Sequence, residues 1–62
     1  MKLYRMGEEV PQSGNYVCLG CGEIRSFRAG SLFAECATCH AGTSTGPEGY
    51  GDGVEFWKLI TD

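Results

Sequence analysis

Two pairs of cysteines dominate what this chain can fold into. Cys18-Leu19-Gly20-Cys21 and Cys36-Ala37-Thr38-Cys39 form a C-x2-C-x14-C-x2-C pattern. Two residues between cysteines let one tight turn aim both sulfurs at a single point, with backbone N–H groups of the turn directed at the thiolates. Two such turns face to face make a tetrahedral S4 site for one metal ion. Gly22 follows the first pair, where the backbone of such a turn often needs positive φ, and glycine adopts it without steric cost. The chain has 62 residues, and chains this short rarely bury enough apolar surface to offset the entropy of ordering them. A structural zinc contributes about 10 to 16 kcal/mol of apparent binding free energy, which is folding free energy where the metal-free chain is disordered. Cys18, Cys21, Cys36 and Cys39 are therefore the expected metal ligands and the expected stabiliser.

Around the pairs the sequence reads as β structure. Asn15 to Leu19 is rich in strand-forming residues and runs into the Gly20-Cys21-Gly22 corner; Glu23 to Arg28 reads as a second strand making a hairpin with it. Val54 to Ile60 is the strongest strand signal, with Val54, Phe56, Lys58 and Ile60 on one face and Glu55, Trp57, Leu59 and Thr61 on the other. Apolar residues on both faces place this strand centrally, or leave Trp57 sheltered on its second face. Residues 1–14 form an N-terminal arm, irregular or briefly extended, that ends in the turn Pro11-Gln12-Ser13-Gly14. Residues 15–62 form the metal-binding unit. Leu32 and Phe33 are expected to pack under the cysteines. From Ala41 to Gly53 there are thirteen residues, five of them glycine, with no aliphatic side chain larger than alanine. That insertion is expected to be a mobile, solvated loop with Tyr50 as its only anchor.

These motifs resemble those of the zinc-ribbon and rubredoxin-like proteins. The first knuckle of that group commonly reads aromatic-x-Cys-x-x-Cys-Gly, matched by Tyr16-Val17-Cys18-Leu19-Gly20-Cys21-Gly22. A second knuckle follows a short hairpin, preceded by glycine and a bulky residue as in Gly30-Ser31-Leu32-Phe33, and an aromatic strand closes the sheet, as Phe56-Trp57-Lys58-Leu59 would. The C-terminal iron domain of rubrerythrins looks similar in cysteine spacing. The resemblance covers residues 14–40 and 54–60. It implies a small metal-stabilised β fold, a three-stranded antiparallel sheet carrying a long glycine-rich loop. It also implies a non-catalytic zinc protein serving as a protein-interaction or accessory module. The alternative it implies is a rubredoxin-like mononuclear iron carrier of electrons. The chain departs from the group at the second knuckle, with Ala37 where proline is usual and His40 where glycine is usual. The insertion is a further departure.

Other readings of the same residues are weaker. Cys36-Ala37-Thr38-Cys39-His40 matches the C-x-x-C-H form of haem c attachment, but haem would leave Cys18 and Cys21 unexplained. His40 competes with Cys39 as a ligand, since adjacent residues rarely point at one metal. The plain alternative is a surface histidine holding a left-handed backbone, a conformation in which His is enriched among non-glycine types. A dithiol redox role would call for an α/β fold that this chain is too short to build. The run Gly46 to Gly53 lacks the lysine and following helix of a phosphate loop, and Glu48 and Asp52 would repel phosphate. Phe56 and Trp57 could stack on bases, yet core packing suits at least one of them better.

Charge narrows the partners. Five Lys and Arg face eight Asp and Glu, giving a net charge of −3. Four thiolates around a divalent ion would add roughly two more negative charges. That balance argues against nucleic acid and favours a protein partner. No apolar run approaches a membrane span and the first residues show no hydrophobic signal region, so the cytoplasm is the expected compartment. In a reducing compartment paired cysteines are metal ligands or redox groups before they are disulfides.

Overall fold

A computed structural model describes residues 2–60. Thr61, assigned above to the second face of the last strand, lies outside the described residues. The chain forms one four-stranded antiparallel sheet from β1 (Leu3–Arg5), β2 (Gly14–Cys18), β3 (Ile24–Phe27) and β4 (Glu55–Leu59), in spatial order β1-β4-β2-β3. The expected hairpin is β2–β3, with Tyr16 opposite Arg25 and Val17 opposite Ile24. β4 runs centrally, pairing Tyr16 with Leu59 and Cys18 with Trp57 on one side, and Leu3 with Lys58 and Tyr4 with Trp57 on the other.

The sheet therefore has four strands rather than three, and the extra one comes from the N-terminal arm. Three residues are too few to display a period-2 pattern. What makes Leu3–Arg5 a strand is the otherwise open edge of β4, whose unpaired backbone groups it satisfies. The rest of the arm is tied down as well. Gly7 N–H donates to Phe33 O at 2.9 Å, Phe33 N–H to Glu8 O at 2.9 Å, and Val10 N–H to Ser31 O at 2.7 Å.

One face of the sheet carries the main core. Tyr4, Tyr16, Phe27 and Trp57 project from the four strands, and Phe33 folds onto them from the connecting segment. The rings meet at close centroid distances: 5.0 Å for Tyr16–Phe33, 5.0 Å for Phe27–Phe33, 5.0 Å for Phe27–Trp57 and 5.1 Å for Tyr4–Phe33. Most are edge-to-face, the arrangement that ring quadrupoles prefer over a flat sandwich. The polar tips of the fully buried Trp57 and Tyr16 are satisfied within the chain, since Trp57 Nε1–H donates to Ala34 O at 2.9 Å and the Tyr16 hydroxyl to Gln12 O at 2.8 Å. Leu32 does not join Phe33 under the cysteines. It is 62% exposed, because extended backbone across the Glu9–Leu32 bridge turns alternate side chains outward.

Phe56 points to the opposite face of β4 and is also fully buried. Its cover is the glycine-rich insertion, so Tyr50 is not the only anchor of residues 41–53. Ala41 is in the core, and Gly42 N–H donates to Tyr50 O at 2.8 Å. Gly42 has φ +93°, and a Cβ there would lie 2.9 Å from Phe56 Cε1 and 3.2 Å from Met6 Cβ. Both Phe56 and Trp57 are thus core residues, which removes them as an exposed base-stacking platform. Gly42→Ala should destabilise the folded protein by about 2 kcal/mol, combining left-handed strain with the collision against Phe56. Denaturant unfolding of the metal-loaded protein measures it, and an unchanged midpoint would contradict the packing described here.

Candidate metal centre

Both cysteine turns sit where the sheet delivers them. β2 ends at Cys18, and the next residue is fixed to β4 by Leu19 N–H donating to Phe56 O at 2.9 Å. The second turn follows Ala34, whose carbonyl is held by the Trp57 indole. The two turns are alike bond for bond. In the first, Gly22 N–H donates to Cys18 O at 2.7 Å and Cys18 N–H to Glu23 O at 2.8 Å. In the second, His40 N–H donates to Cys36 O at 2.7 Å and Cys36 N–H to Ala41 O at 3.2 Å. The residue closing each turn has positive φ: +84° at Gly22 and +63° at His40.

All four expected ligands, Cys18, Cys21, Cys36 and Cys39, are brought together. Their sulfurs lie within 4.8 Å of one another. The close pairs cross between the turns, Cys18–Cys39 at 3.7 Å and Cys21–Cys36 at 3.6 Å. These separations are far beyond a disulfide bond of about 2.05 Å. They match the edge of about 3.8 Å that a tetrahedron with metal–sulfur bonds of about 2.3 Å would have. The donor set and its spacing thus fit a tetrathiolate ion. Zinc and iron both accept this geometry, and the four cysteines would complete the shell of either.

The surroundings prepare the sulfurs for ionisation unevenly. Burial pushes the Cys18 thiol up to about 12, although the N–H groups of Cys21 and Gly20 oppose it. Burial acts on Cys36 in the same direction, but the N–H groups of Cys39 and Thr38, with the sulfurs of Cys21 and Cys18, outweigh it and bring that thiol down to about 7. Of these two buried sulfurs, Cys36 is the one its surroundings favour as a thiolate. A bound cation displaces the remaining protons because only thiolates ligate it.

His40 is not brought into the sulfur cluster. Its side chain is 56% exposed and its Nδ1 lies 3.3 Å from Glu35 Oε2. It holds the left-handed position that Gly22 holds in the first turn, so the plain reading of this histidine is the one the geometry supports. Gathering all four cysteines in one cluster also leaves no separate C-x-x-C-H unit for haem. Comparison with models of known protein families, with curated proteins and with solved structures finds no match for this chain.

Sequence reasoning missed Pro47 and Gly46, which pack beside the centre from the insertion. A Cβ on Gly20 would meet Pro47 Cγ at 3.2 Å, and one on Gly46 would lie 2.5 Å from His40 O. The only signal available was a proline placed between glycines, which reads equally well as a solvent loop. His40→Gly should stabilise the metal-loaded protein by about 1 kcal/mol by relieving the left-handed backbone, with metal stoichiometry unchanged. Thermal unfolding and metal analysis of the variant check both; loss of the metal would make His40 a ligand.

Proposed function

We propose that this chain is a small non-catalytic zinc protein of zinc-ribbon type, its zinc held by Cys18, Cys21, Cys36 and Cys39, and that it acts as an interaction or accessory module for another protein. The observation that carries this reading is the convergence of four sulfurs from two equivalent turns within 4.8 Å. Four protein thiolates leave no coordination position for water or substrate, which makes the metal structural rather than catalytic. A groove lined by Ser13, Gly14, Asn15, Ser26, Phe27 and Arg28 holds no cysteine, histidine or carboxylate. Its two serines are already engaged, Ser13 Oγ by Ala29 N–H and Ser26 Oγ by Asn15 Oδ1. The net charge of −3 favours a protein over a nucleic acid as partner. Among the described residues no helix is long and apolar enough to cross a membrane. Unpaired cysteines suit the reducing cytoplasm.

One observation favours a second reading, a rubredoxin-like iron carrier. The rings of Tyr4, Tyr16, Phe27, Phe33 and Trp57 form a compact aromatic cluster that also includes the buried Cys18 and Cys36. Such a shell would shield a redox ion from water. Metal analysis with a visible spectrum, on protein produced in iron-replete cells, decides between the two. One equivalent of zinc in a colourless protein is the expected result, and a red protein that bleaches reversibly on reduction would establish the carrier.

The metal is also expected to hold the fold. Chelation, or replacement of any one of the four cysteines by serine, should collapse the dispersed amide NMR spectrum, because binding free energy and folding free energy are the same quantity in such domains. A metal-free protein that keeps its dispersion would show the aromatic core to be sufficient alone.

A further inference from the structure

The two cysteine turns repeat the same backbone hydrogen bonds, so their second cysteines, Cys21 and Cys39, occupy equivalent corners of the sulfur tetrahedron. They are not equally accessible. Cys18 and Cys36 are buried and Cys39 is partly covered, whereas Cys21 is exposed. Because the turns themselves are alike, the difference must come from what packs on them.

On the Gly22 side of Cys21 the space is open: a Cβ there would meet nothing within 4 Å. On the Gly20 side, toward the Cys39 and Cys18 sulfurs, the insertion returns. Pro47 Cγ, the Cys39 sulfur and the Cys18 sulfur all converge on Gly20, at 3.2, 3.5 and 3.6 Å from the point where its Cβ would be. The insertion is held there by the second turn itself. His40 O accepts both the Thr43 hydroxyl at 2.6 Å and the Thr43 N–H at 3.2 Å, and Gly46 N–H donates to Thr43 O at 3.1 Å. Gly46 also lies too close to His40 O to carry a side chain. Pro47 is thereby fixed against Gly20, on the side of the first turn toward which the Cys39 and Cys18 sulfurs also converge.

We propose that Cys21 is the exchangeable corner of the metal centre, the position at which an incoming thiol displaces protein sulfur, and that the 41–53 insertion, through Pro47, closes the equivalent corner at Cys39. The inference rests on the tetrathiolate reading. In the exchange the bond from the metal to the Cys21 sulfur breaks as the bond to the incoming sulfur forms. The proton of the incoming thiol passes to Cys21, and no electrons are transferred. Three sheltered sulfurs keep the ion in place meanwhile. The ligand chemistry this corner fits is a soft sulfur donor small enough to reach the exposed Cys21 sulfur, a small thiol.

Site-resolved alkylation tests it. The full-length zinc-loaded protein is treated with limiting N-ethylmaleimide, quenched, digested and mapped by mass spectrometry. Cys21 should be labelled about tenfold faster than Cys39, with Cys18 and Cys36 slower still, since thiolate reactivity follows access. In Pro47→Gly the labelling of Cys39 should rise several-fold while Cys21 is unchanged, an effect that general destabilisation would not confine to one sulfur. Equal labelling of Cys21 and Cys39 in the wild type, or simultaneous labelling of all four, would overturn the assignment of Cys21. Persistent protection of Cys39 in Pro47→Gly would overturn the role of the insertion. Failure of the purified protein to retain zinc or iron would instead remove the tetrathiolate reading beneath the proposal, a result visible in metal analysis before any alkylation.

Discussion

Four sulfurs held within 4.8 Å form an arrangement with two very different energies. As thiols they are weakly polar groups in contact. As thiolates without a cation they repel, by about 4 kcal/mol for each pair at 4 Å and the effective dielectric near a protein surface. A divalent ion turns that repulsion into attraction. Most of the chain between Phe27 and Glu55 has no ladder of its own and is held through single contacts: Phe33 in the ring cluster, the Trp57 indole on Ala34 O, Gly42 on Tyr50 O, and Cys36 and Cys39 in the sulfur cluster. The two turns also fix the end of β2 against the segment before the insertion, so the geometry of that end of the sheet depends on the cysteine cluster.

The aromatic core and the sulfur cluster are not independent. Cys18 and Trp57 are directly opposed across β2 and β4, and Cys18 and Cys36 belong to the same buried set as Tyr16, Phe33 and Trp57. Burial that stabilises the rings is the same burial that raises the Cys18 thiol. Such a core is small but dense. With both Phe56 and Trp57 fully buried on opposite faces, β4 is covered on both sides, one face by the ring cluster and the other by the insertion.

Those features that depend on local chemistry were legible in the sequence. The clustering of the four cysteines followed from two C-x2-C spacings, the hairpin from Asn15–Leu19 and Glu23–Arg28, the central position of β4 from its two apolar faces, and the backbone of His40 from its place after the second pair. Features that depend on distant partners were not legible. β1 exists because β4 offers it an edge, and nothing in Leu3-Tyr4-Arg5 announces that. The arm binds to residues 30–33 through backbone groups that every residue possesses. Ala41 and Gly42 look like the start of a flexible stretch, yet Phe56 needs a cover and only a residue without a side chain fits so near its ring. Small residues in this insertion reflect close approach as much as conformational freedom.

The same distinction explains why the two turns differ while their hydrogen bonds agree. The first is followed directly by β3, so its closing residue faces solvent and glycine meets the need for positive φ at no cost. The second is followed by a chain that must fold back, and its closing residue supplies the carbonyl on which Thr43 is anchored. That carbonyl can be offered by any residue, so histidine is tolerated at about 1 kcal/mol of backbone strain, its ring turned outward toward Glu35. The strain is small beside the stabilisation a bound ion would supply. A turn closed by histidine followed by a glycine-rich insertion is therefore not a degraded copy of the first turn but one that carries a cover, and the asymmetry of the centre follows from that cover rather than from the ligands.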